Sequence, residues 1–166
     1  WELSQYKGTK AFLETKNHEA IIQIKKTTDI PWDLQYNINK ITLTKNKNYR
    51  ITFTAKADKP LKISVVFQQS YRNWKNLGLS EPILLSTDFK TFDLLFNAND
   101  NCDNSKLAFL IGKTKAELTF KNINFEEISG IQLPSETSQK QFLFPRPAYK
   151  LKGLYPKKMA EDIDEF

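Results

Sequence analysis

The chain has 166 residues, of which 40% are hydrophobic and 13% aromatic, enough for one packed domain plus an appendage. No run of eighteen apolar residues occurs, so nothing reads as a membrane span. The formal charge of +6 comes from lysines scattered through turns and strand faces, such as Lys45, Lys47, Lys56, Lys59 and Lys62. With no basic stripe and no aromatic-studded ribonucleoprotein motif, nucleic acid is not an expected partner. Cys102 stands alone, which excludes an intramolecular disulfide, and the single His18, in a polar turn, excludes most multi-histidine metal sites. The opening at Trp1, without Met or leader, reads as a mature or excised piece.

From about residue 10 to residue 128 the pattern has a period of two, the signature of half-buried strands. Residues 34–38 alternate Leu34, Tyr36 and Ile38 against Gln35 and Asn37. The stretch 49–57 sets Tyr49, Ile51, Phe53 and Ala55 against Arg50, Thr52, Thr54 and Lys56. Similar runs follow at 61–69, 89–97, 106–112 and 116–128. Breakers lie between them: Asp29 to Pro31, Asn46 to Asn48, Asp58 to Pro60, Glu81-Pro82 and the polar knot Asn97 to Asn104. Eight or nine short strands without a helix predict an all-β chain, a two-sheet antiparallel β-sandwich. Its buried set is expected to include Ile51, Phe53, Ile63, Val65, Phe92, Leu94, Phe96, Phe109, Ile111, Leu118 and Phe120. Trp32 is expected to cap this core.

After Gly130 the alternation is lost and Pro134, Pro145, Pro147 and Pro156 appear. The division expected is therefore a sandwich domain over 1–129 and an irregular, Pro-containing C-terminal tail over 130–166. The tail still carries Phe142, Phe144, Tyr149 and Tyr155, each costing roughly 1.5–3 kcal/mol to leave in water. These four are candidate anchors on a neighbouring domain or a protein partner.

Several of these stretches resemble a known group. Pro31-Trp-Asp-Leu-Gln-Tyr36 is similar to the Pro-Trp-x-Val-Gln-Leu block of carbohydrate-binding modules of families 4, 9 and 22. Residues 49–58 look like their Tyr-x-Leu-x-Phe-x-Ala-Lys-Ala-Asp strand, and Ser86 to Phe92 is similar to their Thr-x-Glu-Trp-x-x-Tyr. Lys106 to Gly112 and Leu118 to Phe125 resemble the two closing strands. The ordered set spans roughly residues 1–128. It implies a jelly roll of the galactose-binding-like kind, non-catalytic, that binds a polysaccharide or oligosaccharide beside a secreted or cell-surface glycan-active protein. Two positions depart from the family pattern. Lys121 stands where the resemblance implies an aspartate serving a structural calcium, which argues against that ion, because calcium needs several hard oxygen donors. Asn48 replaces the usual glycine before the Tyr49 strand, a tolerable exchange because Asn also accepts left-handed turns.

Sugar rings are gripped by flat aromatic faces for their C–H surfaces and by amides or guanidinium groups for their hydroxyls. Gln35, Asn37 and Gln68 point opposite to their apolar strand neighbours, and Tyr71, Arg72 and Trp74 follow in a loop. If the two strands neighbour each other, these six residues form one open carbohydrate-binding face. The carboxylates offer no tuned acid–base pair: Asp88, Asp93, Asp100 and Asp103 fall mostly in turns, and Glu126 and Glu127 point to opposite faces. The competing expectation is a structural or assembly subunit whose hydrophobic tail docks on a partner.

Overall fold

The computed structural model describes residues 1–71 and 73–129. Ten strands follow in chain order: β1 (Glu2–Gln5), β2 (Lys10–Lys16), β3 (Glu19–Lys26), β4 (Leu34–Leu43), β5 (Asn48–Ala57), β6 (Leu61–Gln69), β7 (Asn76–Leu85), β8 (Lys90–Asn97), β9 (Cys102–Leu110) and β10 (Glu117–Ile128). They form two five-stranded sheets, one in the order β1-β4-β9-β6-β7 and the other β2-β3-β10-β5-β8. All recorded pairings are antiparallel. The only helical element among the described residues is one 3₁₀ turn, Pro31–Asp33. The expected two-sheet sandwich is what the residues build.

Alternation explains which side chains fill it. On β5, Tyr49, Ile51, Phe53, Ala55 and Ala57 are buried, and the residues between them are not. Phe53, Phe109 and Phe120 meet across the two sheets, with Phe109 and Phe120 ring centroids 4.7 Å apart and Phe53 edge-on to Phe109 at 5.0 Å. Of the eleven residues expected inside, Phe92 and Leu94 are only partly buried. They lie on β8, the edge of its sheet, where an inward side chain has a neighbouring strand on one flank only.

The remaining differences concern breakers. Glu81-Pro82 does not end a strand: Pro82 sits inside β7 opposite Ser64, tolerated because β7 is an edge strand whose outer N–H groups need no partner. The left-handed residue before β5 is Asn46 (φ 65°), while Asn48 already pairs with Asn97. Asn17 and His18 (φ 51° and 61°) make the tight turn joining β2 to β3, and His18 is exposed there. The tail anchors Phe142, Phe144, Tyr149 and Tyr155 lie outside the described residues.

Candidate functional site

The outer face of the first sheet carries the candidate residues. Gln35 and Asn37 on β4 point away from the core, as the alternation predicts, and so does Gln68 on β6. The two strands are not neighbours, however, because β9 runs between them. Its register sets Leu110 between Gln35 and Ser64, and Ala108 between Asn37 and Val66. Lys106 lies directly opposite Gln68. A cleft of ≈ 640 Å³ opens over this face, lined by Tyr6, Lys7, Trp32, Asp33, Gln35, Gln68, Trp74 and Leu110.

One wall is built by the 3₁₀ turn. Pro31 starts it, and Asp33 N–H donates to the Ile30 carbonyl at 3.2 Å. Gly112 N–H donates to the Pro31 carbonyl at 2.8 Å, so the turn is fastened to the end of β9. The approach is so close that a Cβ on Gly112 would stand 2.6 Å from the Ile30 oxygen. The buried Asp33 carboxylate accepts from the Thr28 hydroxyl at 2.7 Å and lies 3.8 Å from the Lys7 ammonium. Its carbonyl takes the Tyr6 N–H at 2.8 Å, which brings Tyr6 and Lys7 to the same wall. The turn swings Trp32 outward: its side chain is 57% exposed on the cleft, so it does not cap the core.

The opposite wall is the loop joining β6 to β7. Gln69 N–H donates to the Lys75 carbonyl at 2.9 Å and closes the loop, while Lys75 is paired with Asp100 at 2.7 Å. Trp74 has φ of 48°, in the left-handed region that few large residues adopt, and its indole is 56% exposed. Tyr71 on the same loop is also exposed. Arg72 lies outside the described residues. Single exposed aromatics are ordinary, but Tyr6, Trp32 and Trp74 exposed around one cleft form an apolar surface held ready for a partner.

The floor amides differ in availability. Gln35 donates from Nε2 to the Trp32 carbonyl at 2.8 Å, and its Oε1 accepts from Lys106 Nζ at 2.8 Å, so its orientation is fixed from both ends. Asn37 is fully buried, donating to Ser4 and accepting from Asn39 at 3.0 Å. Gln68 is half-buried on the cleft and makes no side-chain hydrogen bond with another described residue. Sequence reasoning missed Tyr6, Lys7, Asp33, Lys106 and Leu110. For Lys106 and Leu110 the signal was the outward alternation of β9; for Tyr6 and Lys7 no local pattern announced the turn.

The cleft does not assemble acid–base chemistry. Among the described residues Asp33 is the one carboxylate in its lining, whereas glycoside hydrolysis needs two flanking the scissile bond. Asp93, Asp100, Glu126 and Glu127 are engaged elsewhere on the surface with Arg50, Lys75, Arg50 and Lys47. On the second sheet, Lys121 Nζ lies 3.1 Å from Glu19 Oε1 and 3.7 Å from the Phe89 ring centre. Among the described residues no three His, Cys, Asp or Glu side chains gather to hold a metal, and no helix is long and apolar enough to cross a membrane.

Solved structures share this two-sheet fold. A family 4 carbohydrate-binding module superposes with a TM-score of 0.71, at 25% identity, over 76% of this chain and 85% of its own. The first N-terminal cellulose-binding domain of Cellulomonas fimi β-1,4-glucanase C gives a TM-score of 0.61 at 12% identity, covering 78% and 89% of the two chains. The second such domain of that enzyme gives 0.63 at 18%, covering 77% and 86%. No curated protein sequence matches the chain. The family model of the carbohydrate-binding domain, types 4 and 9, matches residues 1–116, and the chain therefore belongs to that family of non-catalytic, polysaccharide-binding jelly rolls.

Proposed function

We propose that this domain binds a β-linked, glucan-type polysaccharide in the cleft over the first sheet, and that it serves a secreted glycan-active protein to which it is attached or with which it assembles. One observation carries the reading: two exposed indoles, Trp32 and Trp74, line the same cleft as the uncommitted amide of Gln68. Indole faces cover the C–H surfaces of pyranose rings, and Gln68 offers both a donor and an acceptor to their hydroxyls. Tyr71, exposed on the same loop as Trp74, extends the aromatic rim. Gln35 and Asn37 act from below, holding the Trp32 turn and β1 in place rather than grasping the sugar alone. The two cellulose-binding domains of a β-1,4-glucanase that share the fold support a β-glucan ligand. At the Lys121 position an ammonium already neutralises Glu19, so the donor set there does not suit calcium.

Affinity electrophoresis in gels containing β-glucan tests this reading. The expected affinity is about micromolar to millimolar, as befits a shallow site. Trp74→Ala should abolish retardation while leaving the melting temperature nearly unchanged, since the indole is mostly in solvent. Unfolding of Trp74→Ala, or no retardation of the intact domain by any glucan, xylan or mannan, would move the role toward protein assembly.

A further inference from the structure

Two charged residues are buried among the described residues: Asp33, which lines the cleft, and Lys106, which lies beneath the lining beside Gln35 and Gln68. Asp33 has the Lys7 ammonium and the Thr28 hydroxyl for company. Among the described residues, Lys106 has no carboxylate within ion-pair distance. It is 5% exposed on the central strand β9, between the lining residues Gln35 and Gln68, and its hydrogen bond is to a neutral acceptor, Gln35 Oε1. That acceptor is locked toward Lys106 because the other end of the amide is held by the Trp32 carbonyl. An ammonium carries three donors, so two remain for something else. The nearest acidic influence is Glu2, which is exposed and already accepts from Asn39 at 2.7 Å. Burial lowers the Lys106 pKa, with Glu2 acting weakly the other way. Two residues earlier on the same strand face, Asn104 Oδ1 is buried without a hydrogen-bond partner.

A buried cation with only a neutral partner is costly to keep. This position on the outer face could be filled by a leucine, as Leu110 does further along the same face. The cost is offset when a ligand supplies the missing charge. We infer that the polysaccharide taken by this cleft carries carboxylate groups, that is, a β-linked glycan containing uronic-acid residues, with the carboxylate reaching Lys106 between Gln35 and Gln68. Charge-assisted hydrogen bonds to an ammonium are about twice as strong as neutral ones, and the low dielectric at the cleft floor strengthens them further. Lys7 at the rim, loosely paired at 3.8 Å, adds a second positive charge along the approach.

This inference rests on the glycan-binding reading above, and the experiment separates the two. Cellohexaose and its C6-oxidised counterpart, a β-1,4-linked hexaglucuronate, share one backbone and differ in the carboxylates. Isothermal titration of the domain with each should give at least about tenfold tighter binding of the hexaglucuronate. In Lys106→Met, which keeps the aliphatic stem, the ratio of the two affinities should fall to about one. Equal binding of the two sugars by the intact domain overturns the inference alone. So does an advantage that survives Lys106→Met, or a Lys106→Met protein that loses both ligands equally. Binding of neither sugar overturns this inference and the glycan reading together. Should Lys106→Met fail to fold, the comparison of the two sugars on the intact domain still decides.

Discussion

Trp32 shows how a single turn redirects a side chain. In the sequence it follows Pro31 and precedes an alternating strand, a setting that suits a core cap. The 3₁₀ turn changes its direction, and the turn exists because Gly112 lets the end of β9 approach Ile30, Pro31 and Leu34. Gly112→Ala should therefore do two things. A Cβ 2.6–2.8 Å from three backbone atoms cannot be relieved by a side-chain rotation, so the domain should lose about 2 kcal/mol or more of stability. Because the turn is displaced, glycan affinity should fall as well. Urea denaturation and a binding titration on the same preparation check both; full stability in Gly112→Ala would mean the turn is looser than described. Gln35, Asn37 and Gln68 were legible as outward-facing residues because a period of two needs only neighbours in sequence. Their hydrogen bonds were not legible, since Gln35 to Lys106 joins positions 71 residues apart.

At the scale of elements, the strands with strong apolar alternation, β5 and β6, could be read from sequence nearly to the residue. β2 and β7 could not, because edge strands lack the second flank that enforces the pattern; β2 exposes Phe12 and Leu13, and β7 contains Pro82. The pairing of β5 with β8 carries the clearest electrostatic contact: Arg50 donates to Asp93 through Nε at 2.9 Å and also through Nη2 at 2.6 Å. That hydrogen bonding holds the Asp93 carboxyl below the usual carboxylate range. A carboxylate whose pKa is lowered by folding adds stability above its unfolded pKa, about 3.9. The contribution is lost as pH falls through the folded value. Asp93→Asn should thus be slightly less stable than the parent at pH 7, and the two melting curves should converge in acid. An unchanged gap between pH 7 and pH 2 would contradict this origin. The surface location keeps the effect small. On the neighbouring strand, the Lys121–Glu19 pair leads to a different expectation. Calcium or a chelator should move the melting temperature little, and a rise above roughly 5 °C, on the order of 1 kcal/mol for a domain of this size, would contradict it.

For the whole molecule, the fold was legible because many short alternating runs separated by turns allow few arrangements other than a sandwich. The cleft was legible only in part. It is assembled from β4, β6, β9 and two turns that meet in space, and no sequence pattern states that β9 lies between β4 and β6. Under the proposed function, polysaccharide occupies the outer face of the first sheet between Trp32 and Trp74. The domain offers an internal control, because the third exposed indole among the described residues, Trp1, packs at a tilt against Tyr36 with ring centroids 4.9 Å apart and lies outside the cleft lining. The most direct measurement follows the indole N–H signals of Trp1, Trp32 and Trp74 by NMR, assigned with single Trp→Phe variants, while cellohexaose or hexaglucuronate is added. The signals of Trp32 and Trp74 should move progressively to saturation with Trp1 unchanged; movement of Trp1 alone, or of none of the three at millimolar ligand, would contradict the placement of the site.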